Sequence, residues 1–401
     1  MASLLFCLFS VSCAPDQDFK TRLSSIVKPY RFRVATWQVN TIFNEAKQVI
    51  FSREKKIDDE IGKVTEYFSN VDRLKTLKSE IEAIKVGNKQ GDLAPLEAEL
   101  NTLQQQKMAL ENVVEKIIAR QIRETLTQQG IFNPVDKYIR LKIGFPPINF
   151  KLDKPPHLLV ISPRDRIESL REIILLQDIS LEKMESIEAE VDELDVSSLV
   201  VGLGGFGGTY PTFVTNEASL RFTVDAATEE WLHQYLFFKP LGFRYVLDLI
   251  GVSRNYEIAT MSETVASIVG KEIGAIIAEN YYPQQESNDN QSQQAGSGFD
   301  FNREMRNIRR TVDKYLAQGE IEQAEEFMEQ KRQYLATKGY QIRKLNQAYF
   351  AFYGTYADRP TSISPIGLEL KKLRSKSASL KEFLETVAAM TSRQDLIESI
   401  K

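Results

Sequence analysis

The chain has 401 residues, of which 42% are hydrophobic, 51 are basic and 55 are acidic, giving a formal net charge of −4. This length and composition provide a sizeable hydrophobic core and, at ordinary domain sizes, about two or three substructures. Because the charges nearly balance and basic residues are interleaved with acidic ones, the composition gives no electrostatic reason to expect nucleic-acid binding.

Residues 1–14 differ in composition from the rest of the chain and resemble a secretory signal. They contain both cysteines, Cys7 and Cys13, and an apolar run that has the length of a signal hydrophobic region but is too short to cross a membrane. Ser10-Val-Ser-Cys13 is similar to the cleavage site of a bacterial lipoprotein, although no Lys or Arg precedes the apolar run. We therefore expect export to the cell envelope, with a lipid on Cys13 as the membrane anchor. A buried or disordered N-terminus is the alternative.

Residues 27–130 are predicted to form a helical hairpin. Apolar residues recur at three- and four-residue steps over residues 57–84 and again over residues 96–126, which is the pattern of an amphipathic or coiled-coil helix. The intervening residues 87–95 include glycine and proline and are short enough to bring the second helix back along the first. Such a hairpin is either an arm that docks a protein partner or a packed structural element.

Between residues 131 and 282 the pattern changes to a mixture of strands and helices. Strands are predicted at residues 138–143, 146–152, 157–162, 197–201 and 209–214. The last two could form an edge along which an extended peptide lies. His157 stands at the start of a strand after two prolines, and we expect it to be structural rather than a metal ligand.

Gly202-Leu-Gly-Gly-Phe-Gly207 has the glycine spacing of a dinucleotide-binding loop. In such a loop the last glycine opens a helix whose amides hold a pyrophosphate. Residues 208–214 are instead rich in Thr, Phe and Val, which favour a strand or a turn. We therefore interpret the glycine run as a flexible loop, with nucleotide binding as the weaker alternative.

The predicted helix over residues 223–236 carries the strongest chemical signal. Glu229 and His233 are four residues apart and share one helical face, with Glu230 beside them. The spacing matches H-E-x-x-H, in which two histidines bind zinc and the Glu takes a proton from metal-bound water, except that Glu229 replaces the first His. A carboxylate can also ligate zinc, and Glu263 near the start of the next predicted helix is the candidate third ligand.

Through this helix and several neighbouring motifs, the chain resembles bacterial gluzincin-type zinc metallopeptidases of the aminopeptidase kind. The likeness covers roughly the C-terminal two thirds of the chain. Its motifs are Ser162-Pro-Arg-Asp-Arg-Ile167, Gly208-Thr-Tyr-Pro211, Glu230-Trp-Leu-His233 and Leu345-Asn-Gln-Ala348. The chain departs from the family at Glu229 and in a longer gap between His233 and Glu263. The resemblance implies a mainly helical α+β fold with a zincin-like domain over residues 131–282. It also implies a Zn²⁺ cofactor held by Glu229, His233 and Glu263, and a peptide substrate hydrolysed with Glu230 as general base.

The rest of the chain is predicted to be helical. Residues 283–299 have almost no apolar side chains and are predicted to be a disordered linker, and residues 300–401 form a C-terminal helical region. There, Tyr349 and Tyr353 share a helical face, and one of them could donate a hydrogen bond to the oxyanion of a peptidase. A stripe of core aromatic residues is the alternative.

Two hypotheses of other classes stand beside the peptidase. Glu230-x-x-His233 also has the spacing of a ferritin-like di-iron bundle, but that site needs a second such pair, and Lys154 occupies the matching position before His157. In the second hypothesis, the chain is a non-catalytic envelope interaction protein on a degenerate peptidase fold. It has lost tight zinc binding and acts through its helical hairpin. The metal content of the purified protein distinguishes these hypotheses best.

Overall fold

Helices make up most of the chain in the computed structural model, which describes residues 14–32, 58–134, 144–207, 210–249, 251–283 and 299–401. The helices within these ranges are α1 (Ala14–Val27), α2 (Glu60–Lys85), α3 (Leu93–Gln128), α4 (Leu181–Asp192), α5 (Leu220–Leu236), α6 (Pro240–Leu249), α7 (Tyr256–Tyr281), α8 (Phe301–Ala317), α9 (Ile321–Thr337), α10 (Gln347–Tyr353), α11 (Ile366–Lys376), α12 (Leu380–Ala388) and α13 (Arg393–Ser399).

The strands of the same ranges are short and form two three-stranded sheets. They are β1 (Phe150–Leu152), β2 (His157–Pro163), β3 (Arg171–Leu175), β4 (Val196–Gly202), β5 (Gly205–Phe206) and β6 (Thr212–Val214). β2 is the centre of the first sheet, with β3 and β4 antiparallel on either side. In the second sheet β6 is central, parallel to β1 and antiparallel to β5. The mainly helical α+β fold expected from the sequence is therefore confirmed.

Several sequence predictions fall outside the described residues and stay predictions. They concern the lipoprotein-like segment with Cys13, the strand at residues 138–143 and the linker between residues 284 and 298. Within the described ranges, no helix combines the length and the hydropathy needed to cross a membrane.

The two long helices α2 and α3 lie antiparallel against each other. Lys85 forms an ion pair with Glu97 near the connection, at 3.1 Å, and Arg120 pairs with Glu60 at the opposite ends of the two helices. The second half of α3 contributes to the largest hydrophobic core, which it shares with α5 and α7, through Val114, Ile117, Ile118, Ile122 and Leu126. This half of α3 is therefore a packed structural element.

The outer edge of β4 is closed by side chains. The N–H of Ser198 donates to Asp192 at 2.8 Å, and the N–H of Val200 donates to Glu188 at 2.6 Å. The carbonyl oxygens of the same two strand residues accept hydrogen bonds from Asn346 and Arg343, at 2.9 and 2.8 Å. Because β4 is closed in this way and β6 is a central strand, neither predicted peptide edge is available for an added strand.

α5 and α7 pack closely because α7 presents glycine at the points of contact. A Cβ on Gly270 would lie 3.5 Å from the Cβ of Glu229, and one on Gly274 would overlap the carboxyl group of Asp225. Without side chains at these two positions, the helix backbones approach more closely than larger residues would allow. Glu229 is therefore held directly against α7, the helix that carries Glu263.

The substitution Gly242→Ala should destabilise the fold by about 2 kcal/mol through overpacking. Gly242 follows the turn between α5 and α6, and an added Cβ would overlap the backbone carbonyl of Leu236. Urea unfolding measures the loss. Gly202→Ala is the matched control, since its Cβ would meet no atom within 4 Å, and we expect it to leave stability unchanged. Equal midpoints for both variants would contradict the prediction.

Candidate metal centre

Helices α5 and α7 bring the three predicted ligands together. Ligand atoms of Glu229, His233 and Glu263 all lie within 4.8 Å of one another, in a group that could hold a metal ion. The Nε2 atom of His233 is 3.7 Å from Oε1 of Glu263. Both side chains are largely buried, with exposed fractions of 19% and 12%. The three groups therefore surround one small volume at the interface of the two helices.

The imidazole of His233 lacks the hydrogen bonds that a buried ring ordinarily makes. Its Nδ1 atom is buried and has no hydrogen-bond partner within the described part of the chain. Its Nε2 atom is 3.7 Å from the nearest carboxylate oxygen, which is beyond an N–H···O hydrogen bond. A divalent ion bound to this ring nitrogen would supply a partner, so the observed ring environment fits a metal ligand.

The carboxyl group of Glu229 is electrostatically unfavourable in the absence of a cation. Burial and, after it, the negative charge of Glu263 raise its pKa to about 8, while Arg359 and Lys271 act in the opposite direction. Two carboxylates that share a site resist simultaneous ionisation. A divalent cation between them would relieve this repulsion, which is a second reason why the residues fit a metal.

The side chain of Glu230 points towards the glycine run of residues 202–207 and away from the contact between α5 and α7. A Cβ on Gly205 or on Gly207 would lie 2.6 Å from a carboxylate oxygen of Glu230, so a larger residue at either position would displace the carboxylate. The N–H of Gly207 donates a hydrogen bond to the carboxylate. The glycine run therefore holds Glu230, and part of it is strand β5 rather than the flexible loop expected from the sequence.

The environment of Glu230 is suited to proton transfer. Burial raises the pKa of its carboxyl group well above the ordinary value, and the charges of Glu229 and Glu263 raise it further, whereas the Gly207 N–H lowers it. A carboxylate with a raised pKa is a stronger base than an exposed one. The electrostatic environment of Glu230 is thus compatible with a general base.

Tyr349 and Tyr353 lie in the aromatic core. Their ring centroids are 4.6 Å apart, and both rings pack against the apolar face formed by β2, β4 and α10. Burial raises the pKa of both hydroxyls. Within the described structure neither hydroxyl forms a hydrogen bond with the three candidate ligands. This arrangement matches the core aromatic stripe that was the alternative to an oxyanion donor.

Two other tyrosines, not singled out from the sequence, interact with the candidate ligands, Tyr245 through a hydrogen bond and Tyr356 through electrostatics. The Tyr245 hydroxyl on α6 donates a hydrogen bond to Glu263, and its ring lies 5.7 Å from the His233 ring. Burial is the main cause that raises the pKa of Tyr356 well above its ordinary value, and the charges of Glu263, Glu229 and Glu230 act in the same direction. Of the two, only Tyr245 could have been found from the sequence, because it lies in the amphipathic helix that follows the helix of Glu229 and His233.

The loop that carries Tyr356 is attached to α7 next to Glu263. The Ala357 N–H donates to Oγ1 of Thr264 at 3.0 Å. Asp358, whose side chain is 4% exposed, accepts a hydrogen bond from Ser267 at 3.1 Å and pairs with Lys271. These contacts fix the loop over the helix turn that presents Glu263.

Protein-family models, curated proteins and solved structures give no match to this chain. We therefore infer the function from the geometry of the centre itself. That geometry defines a candidate for binding one metal ion through two carboxylates and an imidazole, with a third carboxyl group and two tyrosine hydroxyls around it.

Proposed function

We propose that the protein is a metallopeptidase of the gluzincin type that hydrolyses peptide bonds, with residues 131–282 as its zincin-like domain. The observation that carries the proposal is the convergence of Glu229, His233 and Glu263 within 4.8 Å, with Glu230 on the same helix. Two carboxylates and one imidazole are an acceptable ligand set for Zn²⁺. Bound there, Zn²⁺ would supply Lewis-acid polarisation of the scissile carbonyl group.

The side chains around the ligands have separable roles in this proposal. Glu230 accepts a proton from the attacking water, and the Gly207 N–H keeps its carboxylate in one orientation. Tyr245 orients Glu263 through its hydrogen bond. Tyr356 donates a hydrogen bond to the developing oxyanion, the role for which the sequence suggests Tyr349 or Tyr353.

An extended peptide is the proposed substrate because a strand edge lies beside Glu230. Thr215 N–H donates to the Gly204 oxygen at 2.9 Å, and Gly205 pairs with Val214 in the antiparallel register. In such a ladder the N–H and C=O groups of Gly205 point away from β6, towards the outer side of the sheet. A substrate strand added to β5 would bring its peptide bonds close to Glu230.

Export and membrane anchoring are part of the same proposal and rest on the first residues of the sequence. Ser10-Val-Ser-Cys13 provides the lipoprotein-like cleavage site, with the lipid on Cys13. A lipid anchor would place the peptidase at the surface of the cell envelope without a membrane-spanning helix.

The metal content of the protein, purified without added metal, tests the proposal directly. We expect one zinc ion per chain by elemental analysis. Zinc returned to chelator-treated protein at about one hundred times its Kd should stabilise the fold by about 2.7 kcal/mol, measured in thermal melts. Protein without stoichiometric metal and without this stabilisation would favour the alternative, a non-catalytic envelope interaction protein on a degenerate peptidase fold.

A further inference from the structure

The guanidinium of Arg359 lies within electrostatic reach of the candidate metal centre and has no hydrogen-bonding partner among the described residues. It is stacked over the ring of Tyr356, 4.4 Å from the ring centroid, and the side chain is partly buried. Among the described residues it forms no hydrogen bond and no ion pair through its guanidinium. Five N–H donors are therefore available in a fixed, planar arrangement.

Two other partly buried arginines of the chain form bidentate pairs with glutamates. Arg343 binds Glu188 at 2.8 and 2.6 Å, and Arg393 binds Glu369 at 3.0 and 2.7 Å. In each pair one guanidinium contacts both oxygens of one carboxylate, which is the geometry that this group favours. Arg359 has the same capacity, but no carboxylate of the described residues occupies that position. This difference favours a carboxylate that comes from outside the chain.

The loop contacts fix where Arg359 can act. The two residues before it, Ala357 and Asp358, bind the side chains of Thr264 and Ser267, and the ring of Tyr356 supports the guanidinium. The positive charge of Arg359 also lowers the pKa of Glu229, so the two groups are within electrostatic reach. Arg359 is therefore held within electrostatic reach of the candidate ligands, on the loop that binds α7 next to Glu263.

We propose that Arg359 binds the C-terminal carboxylate of the peptide substrate, so that the enzyme acts near the free C-terminal end of short peptides. This inference rests on the proposed metallopeptidase function and names its substrate class. A planar guanidinium pairs with a carboxylate through two parallel hydrogen bonds. Every unmodified linear peptide has one such group at its C-terminus, whereas acidic side chains occur only in some. The specificity differs from the aminopeptidase activity that the sequence resemblance implies.

The test compares peptides that differ only at the C-terminal group. Equimolar mixtures of Ala-Ala-Ala, Ala-Ala-Leu, Ala-Ala-Phe and Ala-Ala-Lys are prepared as free acids and as carboxamides. Binding is measured by calorimetry to the full chain carrying Glu230→Gln, with zinc and after chelation. We expect the acids to bind about ten to one hundred times more tightly than the amides, the range for charged hydrogen bonds.

Variants at Arg359 assign the preference to this residue. Arg359→Gln should remove the difference between acids and amides, and Arg359→Lys should retain only part of it, since lysine cannot form the bidentate pair. Arg310→Gln, at an exposed position on α8, is the charge control and should retain the full difference.

Equal binding of acids and amides, or no binding of either, would overturn the role of Arg359. Metal content is measured on the same samples, so the two proposals fail separately. Protein that contains zinc but does not distinguish the peptides retains the metal centre and loses the C-terminal specificity. Protein without zinc that still prefers the acids retains the carboxylate site and loses the peptidase proposal.

Discussion

Replacing Glu230 by Gln should lower peptide hydrolysis by about 10² to 10⁴-fold, the range for loss of a general base, while the protein still binds one metal ion. Gln has the same size and still offers an oxygen to the Gly207 N–H that binds Glu230. It cannot accept the proton of the attacking water. Because Glu230 is outside the ligand group of Glu229, His233 and Glu263, its loss should separate activity from metal binding. Turnover of a peptide mixture and elemental analysis of the same preparation measure the two properties.

The two histidines provide the comparison for this experiment. His233→Ala removes a ligand and should abolish both metal binding and hydrolysis. His157→Ala is the control, because the Nδ1 atom of His157 lies 3.0 Å from the carbonyl oxygen of Leu176 and His157 is not in the ligand group. It should retain both properties. A Glu230→Gln variant that loses its metal, or that hydrolyses peptides at the wild-type rate, would show that Glu230 is not the base.

The ligand triad is predictable from the sequence because its main determinant is local. Glu229 and His233 are four residues apart, so any helix places them on one face. Glu263 lies in the strongly apolar helix α7, which follows α5 after the short helix α6. Apolar helices that are close in the sequence usually pack together. The closeness of the packing is not predictable in this way, since it depends on Gly270 of one helix meeting Glu229 of the other.

The tyrosines show where local patterns stop being informative. The spacing of Tyr349 and Tyr353 gives them a common helical face but does not say what that face contacts, and in the fold it packs on the first sheet. Tyr356 reaches the centre through contacts of its loop with Thr264 and Ser267. These partners are far away in the sequence, so no periodicity indicates them.

The strand edges are a second example of long-range control. The sequence predicts β4 as a strand, but its alternation carries no information on which edge is free. Side chains from α4 and from residues 343–346 bind the outer backbone groups of β4. The edge next to Glu230 belongs instead to β5. The sequence predicts a loop there, because β5 lies within the glycine run of residues 202–207.

Substitutions at Glu229 should change zinc affinity in opposite directions. Glu229→His should tighten zinc binding by about tenfold or more, since imidazole is a better zinc ligand than carboxylate in such sites. It also removes the repulsion between the charges of Glu229 and Glu263 that raises the pKa of the Glu229 carboxyl group. The imidazole ring has space at position 229 because the facing residue is Gly270. Even an added Cβ on Gly270 would lie 3.5 Å from the Cβ of Glu229. Glu229→Gln keeps the shape but loses the anionic ligand and should weaken binding by about one hundredfold.

Together the two variants should differ by about one thousandfold in Kd, or about 4 kcal/mol, measured by competition with a chromophoric chelator. The contrast is informative because both substitutions remove the same negative charge, so a general electrostatic effect would shift both affinities in one direction. Opposite shifts require that the side chain at position 229 contacts the metal. If Glu229→His gains no zinc and the wild type contains none, Glu229, His233 and Glu263 are an acidic cluster stabilised by Tyr245 and Arg359. The interaction-protein function would then replace the peptidase.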